Sequence, residues 1–147
     1  MPKHSRVIGT TVEAISKSED AVGFRFPISF REWLLENNGL GIEGIRIFPV
    51  LDVRDPRKTW DSIVREQQIA QGYWKDIFEG DGRSFEDLLA FAEFGTGDYY
   101  CFDYSSPTDP SEYFVVHVSH ETGDRSFRAN TFAEFAVKAK AGEFGDD

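Results

Sequence analysis

The stretch from Leu89 to Ala129 constrains the fold of this chain more than any other. Its apolar residues follow a strand pattern and its breaks carry glycine, proline or serine. Leu89-Ala90-Phe91-Ala92-Glu93-Phe94, the turn Gly95-Thr96-Gly97-Asp98, and then Tyr99-Tyr100-Cys101-Phe102-Asp103 predict a β-hairpin. Tyr104 to Ser111, with two prolines and three serines, reads as a loop. Glu112 to Ser119 is the most β-prone segment of the chain, His120 to Asp124 reads as a turn, and Arg125 to Ala129 as a return strand.

Outside this stretch the pattern is mostly helical. Thr10 and Glu13 have capping-box spacing and open a first helix to about Asp20, with Val12 and Ile15 on one face. Ser29 and Glu32 open a second, Ser29–Asn38, in which Phe30, Trp33 and Leu34 share a face and Gly39 is placed as its stop. Ile45 to Val50 alternates as a strand, with Pro49 marking an edge or an end. Asp55-Pro56 predicts the start of a third helix over 55–71, with Trp60, Ile63, Val64 and Gln67 inward and Gly72 as its stop. Tyr73 to Gly80 shows no period, and Ser84 to Leu88 reads as a single helical turn. Thr131 and Glu134 open the last helix, Thr131 to about Ala141, with Phe132, Phe135 and Ala136 as its buried stripe. Two helices, a strand, a helix, four strands and a helix predict an α+β domain with a mostly antiparallel sheet of five to six strands flanked by three to four helices. Phe30, Trp33, Leu34, Phe91, Phe102, Val116, Phe132 and Phe135 form the expected core.

The 147 residues fit one domain, able to bury ~70% of the surface its unfolded chain would expose, and aromatic residues at 15% supply a packed interior. A single cysteine forbids an intramolecular disulfide framework. No apolar run approaches the ~18 residues of a membrane span, and no signal-peptide pattern is present, so a cytoplasmic protein is expected. Net charge is −10, which argues against binding nucleic acid. That charge is concentrated. Asp76 to Asp124 holds twelve acids and one base, Arg83, while the remaining residues carry fourteen acids and fifteen bases. One reading is a solvated face that keeps the protein soluble; the other is an acidic docking surface for a basic partner.

Three motifs, in order along the chain, together resemble those of one known family. Phe26-Pro27 ahead of Phe30-Arg31-Glu32-Trp33-Leu34-Leu35-Glu36-Asn37-Asn38-Gly39 is similar to its opening helix motif, with Phe26 where leucine is usual. Phe91 to Asp103, with Gly95-Thr96-Gly97-Asp98 at its turn and Phe102-Asp103 at its end, resembles the second. Val115-Val116 with His120, then Ala129 and Thr131-Phe132-Ala133-Glu134-Phe135, resembles the third. The family is the SUKH superfamily, which includes the Smi/Knr-type regulators of fungal cell-wall glucan synthesis and many bacterial relatives; the resemblance spans about residues 12–141 of a single domain 1–147, and the segment from Arg54 to Arg83 matches none of it. It implies a binding domain with no catalytic motif. Its structural residues here are Pro27, Trp33, Asn38, Gly39, Gly95, Gly97, Asp98, Phe102, Asp103 and Phe132. Gly39, Gly95 and Gly97 supply positive φ, and Asp98 is expected to accept backbone N–H bonds within its turn.

No catalytic arrangement emerges from the remaining residues. His117 and His120 stand three apart, which in a strand directs them to opposite faces and makes a shared metal unexpected; with His120 in the turn that restriction loosens. Cys101 lies between Tyr100 and Phe102 in an acidic, apolar strand and reads as buried and structural. No serine elbow and no phosphate loop is present. The expected function is therefore non-enzymatic, with no cofactor, no metal and no small-molecule substrate. The resemblance implies the leading expectation, a bacterial immunity protein that neutralises a basic, nuclease-type toxin domain by stoichiometric binding, and the acidic segment is an independent physical hint of a basic partner. The alternative is a regulatory or scaffold module of cell-wall synthesis. The expected contact residues are Asp81, Glu86, Asp87, Glu93, Asp98, Asp109 and Glu112, which together with Asp103 are expected to face water. Arg125, Arg128, Arg54, Arg57 and Lys58 are the bases available to pair with some of them.

Overall fold

In the computed structural model, which describes residues 9–78, 80, 82–109 and 111–147, four helices pack on one five-stranded sheet. The elements are α1 (Val12–Val22), α2 (Ile28–Asn37), β1 (Arg46–Ile47), α3 (Ile63–Phe78), β2 (Leu88–Glu93), β3 (Tyr99–Asp109), β4 (Glu112–Val118), β5 (Arg125–Ala129) and α4 (Phe132–Lys140). The strands form an antiparallel meander in chain order. This is the predicted α+β architecture.

The sheet separates two aromatic clusters, because successive side chains of a strand point to opposite faces. Tyr100 and Phe102 of β3 face α2 and α4. Phe102 stacks on Phe91 at 4.1 Å, and Phe30, Phe132 and Phe135 close around them. Tyr99 points the other way, against Trp74 of α3, which also stacks on Phe85. Covered from both sides, Leu88 to Ala92 of β2 are all buried. The expected core residues are buried except Trp33, which is half-buried and meets Phe132 edge-on.

Local chemistry moved several boundaries. Thr11, not Thr10, caps α1 by accepting the Ala14 N–H, and Thr10 donates its hydroxyl to Asp52 instead. Thr131 caps α4 as expected, accepting the Glu134 N–H. Beyond Asp103, β3 runs on to Asp109 through irregular pairing with β4, where a loop was expected; Pro107 is tolerated where the register shifts. Phe85 and Leu88 close a turn, not a helical segment.

The third helix departs furthest from expectation. It spans Ile63–Phe78, not 55–71, and Ser62 opens it by accepting the Arg65 N–H. Asp55-Pro56 instead belongs to a run of turns, and Trp60, expected inward, is 64% exposed. Gly72 sits inside the helix, where it costs about 1 kcal/mol against alanine. Burial of Trp74 and Phe78 beyond it outweighs that loss.

Candidate partner-binding surface

Most of the acids expected to face a partner are engaged within the molecule. Glu112 reaches back to the start of α2, where its two carboxylate oxygens accept the Ser29 N–H and the Ser29 hydroxyl, each at 2.8 Å. Ser29 therefore does not cap its own helix with Glu32; a carboxylate from β4 satisfies the exposed N-terminal amide and answers the positive end of the helix. Asp103 accepts the Ser105 N–H and hydroxyl and lies 3.5 Å from Arg125. At 9% and 7% exposure, Glu112 and Asp103 correct the expectation that these acids face water. Glu93 accepts two hydrogen bonds from Arg46 across β1 and β2, a partner the charge count within the segment missed.

The Asp98 carboxylate was expected to accept N–H bonds within its own turn, but it reaches out of that turn instead. It accepts the His120 backbone N–H at 2.8 Å, lies 2.5 Å from His120 Nδ1, and lies 3.0 Å from His117 Nε2, though that last contact is poorly aligned for a hydrogen bond. The carboxylate thus ties the β2–β3 turn to the end of β4, and the two histidines share an acid. Burial opposes its charge, yet the bonds from His120 and the two nearby imidazoles hold its pKa below the ordinary carboxylate value. Gly97, at φ +96°, lies under the His120 ring, where a Cβ would approach to 3.3 Å.

The motif residues of α2 act structurally as well. Asn38 is buried, and its amide both donates to the Val50 carbonyl at 3.1 Å and accepts the Val50 N–H at 2.8 Å. Gly39 follows at φ +93°. Cys101 is fully buried and free, and burial pushes its thiol well above the usual range. Among the described residues no group of three or more His, Cys, Asp or Glu is placed to hold a metal ion, and no helix is long and apolar enough to cross a membrane.

What remains exposed collects where the loop 83–87 meets the β4–β5 turn. Arg83 donates to the Thr122 carbonyl at 2.8 Å and Arg125 to the Ser84 carbonyl at 2.6 Å. Gly123, at φ +74°, makes this approach possible, because a Cβ there would meet Phe85 and Arg83 at 3.1 Å. Glu86, Glu121 and Asp124 are exposed here, Asp124 lies 3.5 Å from the Arg83 guanidinium, and Asp87 is half-buried against Arg125. Glu86 also forms the lip of a groove along α3. One part of it, about 450 Å³, is lined by Trp74, Lys75 and Phe85 among others, and the next, about 370 Å³, by Phe24, Val64 and Gln68 among others; they share Gln71 and Glu86. Asp81 lies outside the described residues, and so does the side chain of Asp109, whose backbone ends β3. Of the bases expected as partners, Arg125 pairs with Asp87 and Asp103, Arg128 with Asp147, and Arg54 with Asp52.

The antiparallel meander, the Asn38–Gly39 exit of α2 and the Gly95–Asp98 turn thus occupy the places the sequence motifs required. No curated protein matches the sequence at a significant level. The model of the SMI1 / KNR4 family (SUKH-1) matches residues 9–138, and the chain belongs to that family.

Proposed function

We propose that this protein is a non-enzymatic binding protein, an immunity protein that neutralises a basic, nuclease-type toxin domain by stoichiometric association. The carrying observation is the acidic rim formed by Glu86, Asp87, Glu121 and Asp124 beside the groove along α3. Nucleases carry basic surfaces because they bind phosphates, and an acidic rim speeds their approach while buried contacts set the lifetime of the complex. Glu93, Asp98, Asp103 and Glu112 hold this framework in place and contribute to binding through it. The groups with chemical potential point the same way, since Cys101 is sealed in the core and His120 is held by Asp98.

The test is co-expression with the toxin domain encoded next to its gene. Restored growth and a one-to-one complex on gel filtration are the expected outcomes. Within that complex, replacing Glu86, Asp87 and Asp124 by their amides slows association at low salt and much less at 1 M salt, where the Debye length is ~3 Å. No rescue and no complex would remove the immunity reading and return the chain to the alternative, a regulatory module of cell-wall synthesis.

A further inference from the structure

The segment from Pro49 to Ser62 uses buried polar bonds to hold apolar side chains out in water. Asp52 and Thr59 are both buried at its neck. The Asp52 N–H donates to Thr59 Oγ1 at 3.0 Å, and the Thr59 hydroxyl reaches the Asp55 carbonyl at 2.9 Å. The Asp52 carboxylate accepts the Thr10 hydroxyl at 2.8 Å and two guanidinium bonds from Arg54 at 2.9 and 2.6 Å. Bonds from Ile63 N–H to Pro49 O and from Asn38 to Val50 close its base. A loop braced in this way loses little conformational entropy on binding.

On this frame Val53 is 82% exposed, and Leu51 and Trp60 are exposed with it. The Arg65 guanidinium lies 5.5 Å from the Trp60 ring centroid, a cation–π contact that steadies the indole. The charges around it are unevenly matched. Arg54 pairs with Asp52 and Arg65 with Asp61, while Arg57 and Lys58, both exposed, form no ion pair among the described residues; Asp55, half-buried, accepts the Lys58 backbone N–H, and the loop keeps one more base than acid. Tryptophan and arginine are the residues most enriched at binding hot spots.

We propose that the loop 51–60 is a second docking surface, for an acidic protein segment that covers Trp60 and Val53 with apolar side chains and sets carboxylates against Arg57 and Lys58. Charge selects this occupant. A second copy of the chain in twofold contact would bring these unmatched cations against their own kind. An anionic membrane would repel a chain of net charge −10, and two cations fall short of the clusters of about four to eight that read as lipid-binding. The surface shares no residue with the acidic rim, so either can fail alone.

The test uses the full chain and three synthetic peptides: one alternating Glu with Leu or Phe, one with Lys in place of Glu, and one with Ser in place of the apolar residues. Anisotropy of a fluorescent label on each peptide reads binding in every variant, and because Trp74 is buried and Trp33 half-buried, a blue shift of the unsubstituted chain's emission reports on Trp60. The acidic apolar peptide is expected to bind best and shift the emission to the blue. Trp60→Ala, and separately Arg57→Glu with Lys58→Glu, should weaken it about tenfold or more at an unchanged melting temperature. Amide substitution at Glu86, Asp87 and Asp124 should leave it unchanged. Equal binding by the basic peptide or by Trp60→Ala, preferential binding to phosphatidylserine vesicles, or dimerisation abolished by Trp60→Ala would each overturn the proposal.

Discussion

The sheet face beneath α2 and α4 and the Pro49–Ser62 loop hold their shapes by opposite means. On the sheet face Phe30, Phe91, Phe102, Phe132 and Phe135 pack ring against ring with no polar group among them. In the loop, shape comes from Asp52, Thr59 and the nearby Asn38, and the apolar side chains Val53 and Trp60 are the ones left outside. The first region is stabilised by removing apolar surface from water, a term indifferent to direction. The second depends on a few directional bonds, each of which leaves an unsatisfied group when broken. A protein can therefore keep a general-purpose core and still fix the posture of one exposed loop.

The largest stability loss is expected on the aromatic face. Phe102→Ala removes a ring at the centre of the aromatic face and should cost about 3–5 kcal/mol, read by urea unfolding. If it costs under about 1 kcal/mol, the face is not packed as described. Asn38→Ala strands the N–H and carbonyl of Val50 and should cost about 2–4 kcal/mol, with faster amide exchange at Val50 as its local signature.

Asp52→Asn is smaller and depends on pH. The Arg54 bonds, with help from Arg54 N–H and Thr10 against burial, hold the Asp52 pKa well below its ordinary 3.8. A lowered native pKa stabilises the fold above the unfolded value and loses that contribution as pH falls toward the native one. The substitution should therefore cost about 1–3 kcal/mol at neutral pH, and the gap from the native protein should narrow progressively below pH 3.8. A gap independent of pH would mean that shape, not charge, holds the loop. Trp60→Ala should change stability by no more than about 0.5 kcal/mol, because the indole is mostly in water. A larger loss would place Trp60 in the fold and not on a surface kept for a partner.

The aromatic face was legible in the sequence because it obeys simple periods. Phe30 and Leu34 in α2, Phe132 and Phe135 in α4, and Phe102 in β3 all fall where helical or strand spacing puts them inward. The loop was not, since its bonds join residues distant in sequence, such as Thr10 to Asp52 and Asn38 to Val50. Asp55-Pro56 carries a valid helix-start signal, yet only one turn forms there, closed by Thr59 N–H to the Asp55 carbonyl and pinned by the Thr59 hydroxyl to Asp52, and the helix begins at Ile63.

Residue identity and local spacing, then, were enough for most of the element types, for an antiparallel sheet, for most of the core and for the total charge. Only the tertiary structure decided where that charge is felt. Of the acids between Asp76 and Asp124, Glu112 closes the start of α2, Asp98 bridges two histidines, Glu93 answers Arg46, and Asp103 answers Ser105 and Arg125. A charge count sums these carboxylates as one surface. Folding divides them, because a carboxylate drawn out of water must find its donors wherever the chain brings them, here from α2, β1, β5 and the β4–β5 turn.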